Sequence, residues 1–142
     1  MIIKVLLVDD EKDFVETLAQ RLEVRDFDVK IAFDGDQALG LVREFDFDVI
    51  VLDVLMPGKD GIQTLKEIKG LRPLANVIML TGNATVDTAI EGMKLGAYDY
   101  LMKPAETEIL VEKIMSAHKI KAEHEERIRQ AEIKGLLKRR GW

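Results

Sequence analysis

The chain has 142 residues, 47% of them hydrophobic and 33% charged, which suits a single folded domain with a real core and excludes a disordered chain. It has no cysteine, which excludes disulfides, thiol nucleophiles and thiolate metal sites. The net charge of −5 is uneven, −9 over residues 1–118 and +4 over residues 119–142, and an acidic body does not suit the phosphate neutralisation that nucleic-acid binding requires.

Short apolar runs alternate with longer stretches of helical period, the pattern of repeated βα units around a parallel sheet. The first strand is predicted at 3–8 and the first helix at 12–24, where Phe14, Leu18 and Leu22, with Val15 and Ala19 beside them, form a buried stripe. A second strand follows at 28–33, then a turn at Asp34-Gly35 and a helix at 36–45. The third strand, at 48–53, is apolar on both faces (Val49-Ile50-Val51-Leu52), as a sheet covered on both sides demands. Turns at Pro57-Gly58 and Asp60-Gly61 lead to a helix at 62–71. A fourth strand at 76–81, a helix at 85–95, a turn at Gly96 and a fifth strand at 98–102 complete the sheet.

The fifth helix begins after Pro104 and meets no further proline, so it is expected to run from about 106 to 140, its last 20 or so residues projecting roughly 30 Å. Glu123–Arg127 and Glu125–Arg129 are favourable i,i+4 pairs. The apolar seam Leu110, Ile114, Ala117, Ile128 and Ala131 is interrupted by Lys121 and His124, a weakly specified coiled coil. His118 and His124 lie six apart and face different sides, which makes them poor joint ligands, and Trp142 is the terminal residue. No apolar run exceeds four residues, so no membrane span is expected. The first ten residues lack the layout of a signal peptide, and a cytoplasmic protein is expected.

Parallel βα units bring every strand's carboxyl end to one edge, and in the order 2-1-3-4-5 strands one and three are neighbours across the switch point. Asp9 and Asp10 follow the first strand, Asp53 ends the third, Thr81 ends the fourth and Lys103 follows the fifth. Three converging carboxylates repel unless a cation joins them, and an all-oxygen set suits a hard ion, Mg²⁺ above all. Cation, hydroxyl, lysine and carboxylate together have the parts for phosphoryl transfer, with Asp53 as the acceptor. Taken singly, each residue has a plainer reading as a cap, a strand-end hydrogen bonder or a solvated lysine. Five at matching strand ends argue for one site.

Leu6-Leu7-Val8-Asp9-Asp10-Glu11, Asp53 to Gly61, Met79-Leu80-Thr81-Gly82 and Tyr98 to Pro104 resemble, in order and spacing over about residues 2–118, the response-regulator receiver domain of two-component signalling. The resemblance implies a doubly wound, flavodoxin-like α/β fold in which Asp53 accepts a phosphoryl group from the phosphohistidine of a histidine kinase or a phosphotransfer protein. It further implies that Asp10 binds Mg²⁺ directly, Asp9 mainly through water and Leu55 through its backbone carbonyl. Thr81 and Lys103 would contact phosphoryl oxygens, Gly82 would leave them room, and the Lys103-Pro104 bond would be cis. Tyr100 takes the place of an aromatic that turns inward as Thr81 is drawn to the phosphoryl group, changing the face of the fourth helix, fifth strand and fifth helix. Leu55 and Asn83 occupy positions that modulate dephosphorylation, and apolar Leu55 is expected to shield the acyl phosphate and lengthen its life.

Residues 1–118 would then be the receiver and 119–142 an extended helix similar to an NtrC-type linker. The output would be contact with a downstream effector protein or domain, with a homodimer through the fifth helix and its extension. Twenty-four residues are too few for a helix-turn-helix domain, so direct contact of this chain with nucleic acid is not expected. The rival reading, a small Mg²⁺-dependent phosphatase, lacks the Asp-x-Asp spacing: Asp53-Val54-Leu55 does not supply it. A nucleotide or flavin binder would need a glycine-rich loop after the first strand, and none follows it.

Overall fold

A computed structural model describes residues 2–54, 56, 60–82 and 86–139. Its elements are β1 (Lys4–Val8), α1 (Lys12–Val24), β2 (Asp28–Ala32), α2 (Gly35–Glu44), β3 (Val49–Leu52), α3 (Gly61–Leu71), β4 (Asn76–Thr81), α4 (Val86–Lys94), β5 (Asp99–Met102) and α5 (Thr107–Arg139). The strands form one parallel sheet in the expected order, β2-β1-β3-β4-β5. The Leu55 carbonyl, the Pro57-Gly58 turn, Asn83 and Trp142 lie outside the described residues.

Successive side chains of a strand point to opposite faces, and the core divides accordingly. Leu6, Val8, Ile50, Leu52, Val77 and Met79 pack with Ala38, Leu39 and Val42 of α2 and Leu65 and Ile68 of α3. Val5, Leu7, Val49, Val51, Ile78 and Leu80 pack on the other face with α1 and with Leu110, Ile114 and Ala117 of α5. Each fully buried aliphatic side chain contributes about 1.5–3 kcal/mol, so the inner strands, buried residue after residue, hold the frame.

Element ends differ from the sequence reading by about a residue, with informative exceptions. Asp34-Gly35 and Asp60-Gly61 are helix starts rather than turns. The Asp34 carboxylate accepts from the Gln37 amide at 2.8 Å and Asp60 from the Gln63 amide at 2.7 Å, satisfying N–H groups that a first turn leaves without partners. Gly61 also packs so closely that a Cβ there would overlap the Asp53 carbonyl and the Val54 backbone. Gly96 takes the left-handed conformation, φ +102°, between α4 and β5. Phe14 is only half-buried, because it stands in the first turn of α1, at the sheet edge where Lys103 lies above its ring.

The largest departure is in α5. Lys121, read as a polar interruption of an intermolecular seam, is 4% exposed and packs within the chain. Its ammonium lies 3.3 Å from Asp46, 3.5 Å from Asp48 and 3.2 Å from Glu125. Burial alone would lower its pKa, but the Asp46 charge and the Glu125 and Asp48 carboxylates outweigh burial and move it upward. The ion pairs differ from those expected: Glu125 is engaged by Lys121, Arg129 pairs with Glu126, and the Arg127 guanidinium leans on the Glu123 carbonyl. Beyond this point the helix stands clear, with Ile128, Ile133 and Leu136 each close to half exposed and His124 exposed. Among the described residues no helix is long and apolar enough to cross a membrane.

Candidate functional site

Backbone pairing continues past the strand ends and fixes where each loop departs. The Asp9 amide donates to the Ala32 carbonyl at 3.1 Å, Asp53 to Val8 at 2.9 Å and Lys103 to Thr81 at 2.9 Å. Because Val8 sits opposite Leu52 in the register, Asp9 and Asp53 leave adjacent strands side by side. Thr81 sits opposite Met102 and so lies beside the start of the loop that carries Lys103. The Lys103-Pro104 bond is cis, as expected.

Asp9, Asp10 and Asp53 each place a carboxylate oxygen within 4.8 Å of the others. Asp9 and Asp53 are buried, each 4% exposed, whereas Asp10 faces solvent. The Lys103 ammonium is 2.7 Å from Asp9 Oδ2, 3.2 Å from Glu11 Oε1 and 3.7 Å from Asp53 Oδ2. Thr81 is 1% exposed at the end of β4. Sequence reasoning therefore identified residues that the fold does gather at one edge.

The electrostatics are unbalanced. Burial pushes the Asp9 carboxyl above its ordinary value, although the Lys103 hydrogen bond and the Glu11 amide at 2.9 Å pull it down, and the Asp53 charge adds to the rise. Burial also works against the charged Lys103, but Asp9, Asp53 and Glu11 together outweigh it and raise its pKa. One lysine cannot neutralise three carboxylates plus Glu11. The surplus negative charge, carried on oxygen ligands alone with neither sulfur nor imidazole among them, fits a hard divalent cation held by Asp9, Asp10 and Asp53.

Two neighbours of Lys103 escaped the sequence reading. In the sequence Glu11 stands only as part of the motif, and the helical spacing places Phe14 in the core stripe. The ring of Phe14 lies 4.2 Å beneath the Lys103 ammonium. The signal for both was their place in the first turn of the helix that follows the Asp pair. Tyr100, in β5, is 40% exposed and lines an open groove with Ala89, Ile90, Met93 and Lys94 of α4. A Cβ at Gly82 would reach only ordinary contact with Lys103, at 4.0 Å, so this position is open.

A family model described as the response regulator receiver domain matches residues 5–115. The transcriptional regulatory protein ZraR of Salmonella typhimurium is 41% identical over 115 residues, 81% of this chain and 26% of that protein. CpxR of Klebsiella pneumoniae is 42% identical over 111 residues, 78% of this chain and 47% of that protein. The chain thus spans between about a quarter and a half of the length of these curated relatives. Among solved structures, a CheY-like receiver domain protein from Methanospirillum hungatei superposes with a TM-score of 0.84 at 27% identity, covering 87% of this chain and 99% of that one. A response regulator from Burkholderia pseudomallei, solved with a phosphorylated aspartic acid, a calcium ion and citrate, superposes at 0.77 with 29% identity, covering 98% of this chain and 86% of that one.

Proposed function

The chain belongs to the response-regulator receiver family of two-component signalling, and from that premise we propose that Asp53 is its phosphoacceptor. The observation that carries this reading is the cluster itself: a buried acceptor carboxylate beside two further carboxylates and a lysine at one sheet edge. An Asp53 oxygen forms the new O–P bond as the P–N bond to a kinase's phosphohistidine breaks, and the imidazole keeps that electron pair. Lys103 and the Thr81 hydroxyl then receive the phosphoryl oxygens, by charge and by a donated hydrogen bond. Mg²⁺ held by Asp9, Asp10, Asp53 and the Leu55 carbonyl would neutralise charge on those oxygens.

The new charge of nearly −2 on Asp53 draws Thr81 inward, and the ring of Tyr100 follows from its exposed position into the vacated space. This is a population shift between two packings, and a few kcal/mol of differential contact suffices. Residues 1–118 act as the receiver, and residues 119–142 carry the change along α5 to an effector protein or domain. The chain assists its own phosphorylation and dephosphorylation without turning over a separate substrate. A receiver of this kind works in the cytoplasm.

Incubation with acetyl phosphate and Mg²⁺ tests the reading. Wild type should gain about 80 Da and Asp53→Ala nothing. An equal gain in the variant, or none in wild type, would end it.

A further inference from the structure

Lys103 has three carboxylate neighbours within the chain. Its ammonium is shared among Asp9 at 2.7 Å, Glu11 at 3.2 Å and Asp53 at 3.7 Å. Asp9 and Asp53 belong to the cation cluster; Glu11 does not. Glu11 is the N-cap residue of α1, yet its side chain accepts no cap hydrogen bond and is spent on Lys103 instead. Its backbone is pinned because its amide donates to Asp9 Oδ1 at 2.9 Å. One turn on, the Phe14 ring closes the side of the ammonium at 4.2 Å. The first turn of α1 therefore brackets Lys103, with a carboxylate on one side and an aromatic face on another.

We propose that Glu11 is a positioning residue that restrains Lys103 in the unphosphorylated chain, so that phosphoryl uptake must first loosen this pair. The proposal rests on the reading of Asp53 as acceptor and concerns how fast that acceptor is served. With acetyl phosphate as donor, an Asp53 oxygen bonds to phosphorus, the acetyl O–P bond breaks and acetate leaves with the electron pair, so no proton is needed. The Lys103 ammonium must move toward the phosphoryl oxygens as this happens, and every hydrogen bond it keeps with Glu11 opposes that movement. Glu11 has a side-chain exposure of 63%, so the restraint is modest and the chain can release it thermally.

The experiment compares wild type, Glu11→Gln and Asp13→Asn. Asp13 is an exposed acid in the same helical turn and has no ion pair with Lys103 among the described residues. Glu11→Gln should take up phosphoryl from acetyl phosphate at saturating Mg²⁺ about two- to fivefold faster, the range an exposed ion pair spans. In the metal-free protein the side-chain ammonium resonance of Lys103 should shift in Glu11→Gln. Asp13→Asn should change neither quantity, which separates a specific restraint from a general loss of negative field. An unshifted Lys103 resonance, an unchanged uptake rate in Glu11→Gln, or an equal acceleration in Asp13→Asn overturns the proposal. Absence of uptake in wild type would instead fail the Asp53 reading and take this proposal with it.

Discussion

Asp10 and Asp9 share a charge problem but stand in different surroundings. Asp9 is buried and leans on Lys103, whereas Asp10 is exposed and adds repulsion without a cationic partner of its own among the described residues. Neutralising Asp10 should therefore stabilise the cation-free protein, by up to about 1 kcal/mol given its exposure. The same change removes one of the three oxygen ligands. Thermal unfolding of Asp10→Asn should start higher than wild type without Mg²⁺ and gain little on its addition, while wild type gains, by about 2.7 kcal/mol at a hundredfold excess over Kd. Leu55→Asn should speed loss of the phosphoryl group, the outcome expected if an apolar residue at position 55 shields the acyl phosphate from water. Following decay of the phosphorylated species by mass spectrometry checks this, and an equal or slower decay contradicts it.

At the scale of an element, α5 joins two environments in one helix. Its first part packs on the sheet through Leu110, Ile114 and Ala117, and Lys121 ends that contact inside a set of three carboxylates. Removing the ammonium leaves those carboxylates facing one another, so Lys121→Met should lower the unfolding free energy by about 2 kcal/mol, less than for a fully buried pair because Asp46 and Glu125 keep water contact. The folded chain holds this proton more tightly than the unfolded chain does. The stabilisation is thus complete below the ordinary lysine pKa of 10.5 and is lost as pH rises through the higher folded value. Urea unfolding of wild type and variant should converge only in that alkaline range. This lysine also marks where sequence reading stops. Helical period placed it on the correct stripe beside Ile114 and Ala117, but its partners Asp46 and Asp48 lie some 75 residues upstream, and only the folded register of β3 against α5 brings them near. The strands, by contrast, were legible because their apolar runs and terminal Asp, Thr and Lys are local signals. Glu11 and Phe14 were missed for the converse reason, since what gives them a role is a lysine about 90 residues away.

For the whole molecule, the exposed half of α5 sets the question of assembly. Ile128, Ile133 and Leu136 stay close to half exposed, and the first of these belongs to the apolar seam beyond its interruption at Lys121. We expect self-association through this stretch, on the heptad spacing that Ile128 and Ala131 retain. Light scattering with and without beryllofluoride should give a mass above that of the 16.1 kDa monomer in at least one state. A monomer under both conditions would reject the expectation.

The unbroken run of α5 from Thr107 to Arg139 makes it a lever with its fulcrum at Lys121. From there to Arg139 the helix extends roughly 27 Å, so a tilt of about 10° at the fulcrum sweeps the far end through roughly 5 Å. Any tilt of α5 about this point is thus magnified into a displacement large enough to make or break contacts at the distal tip.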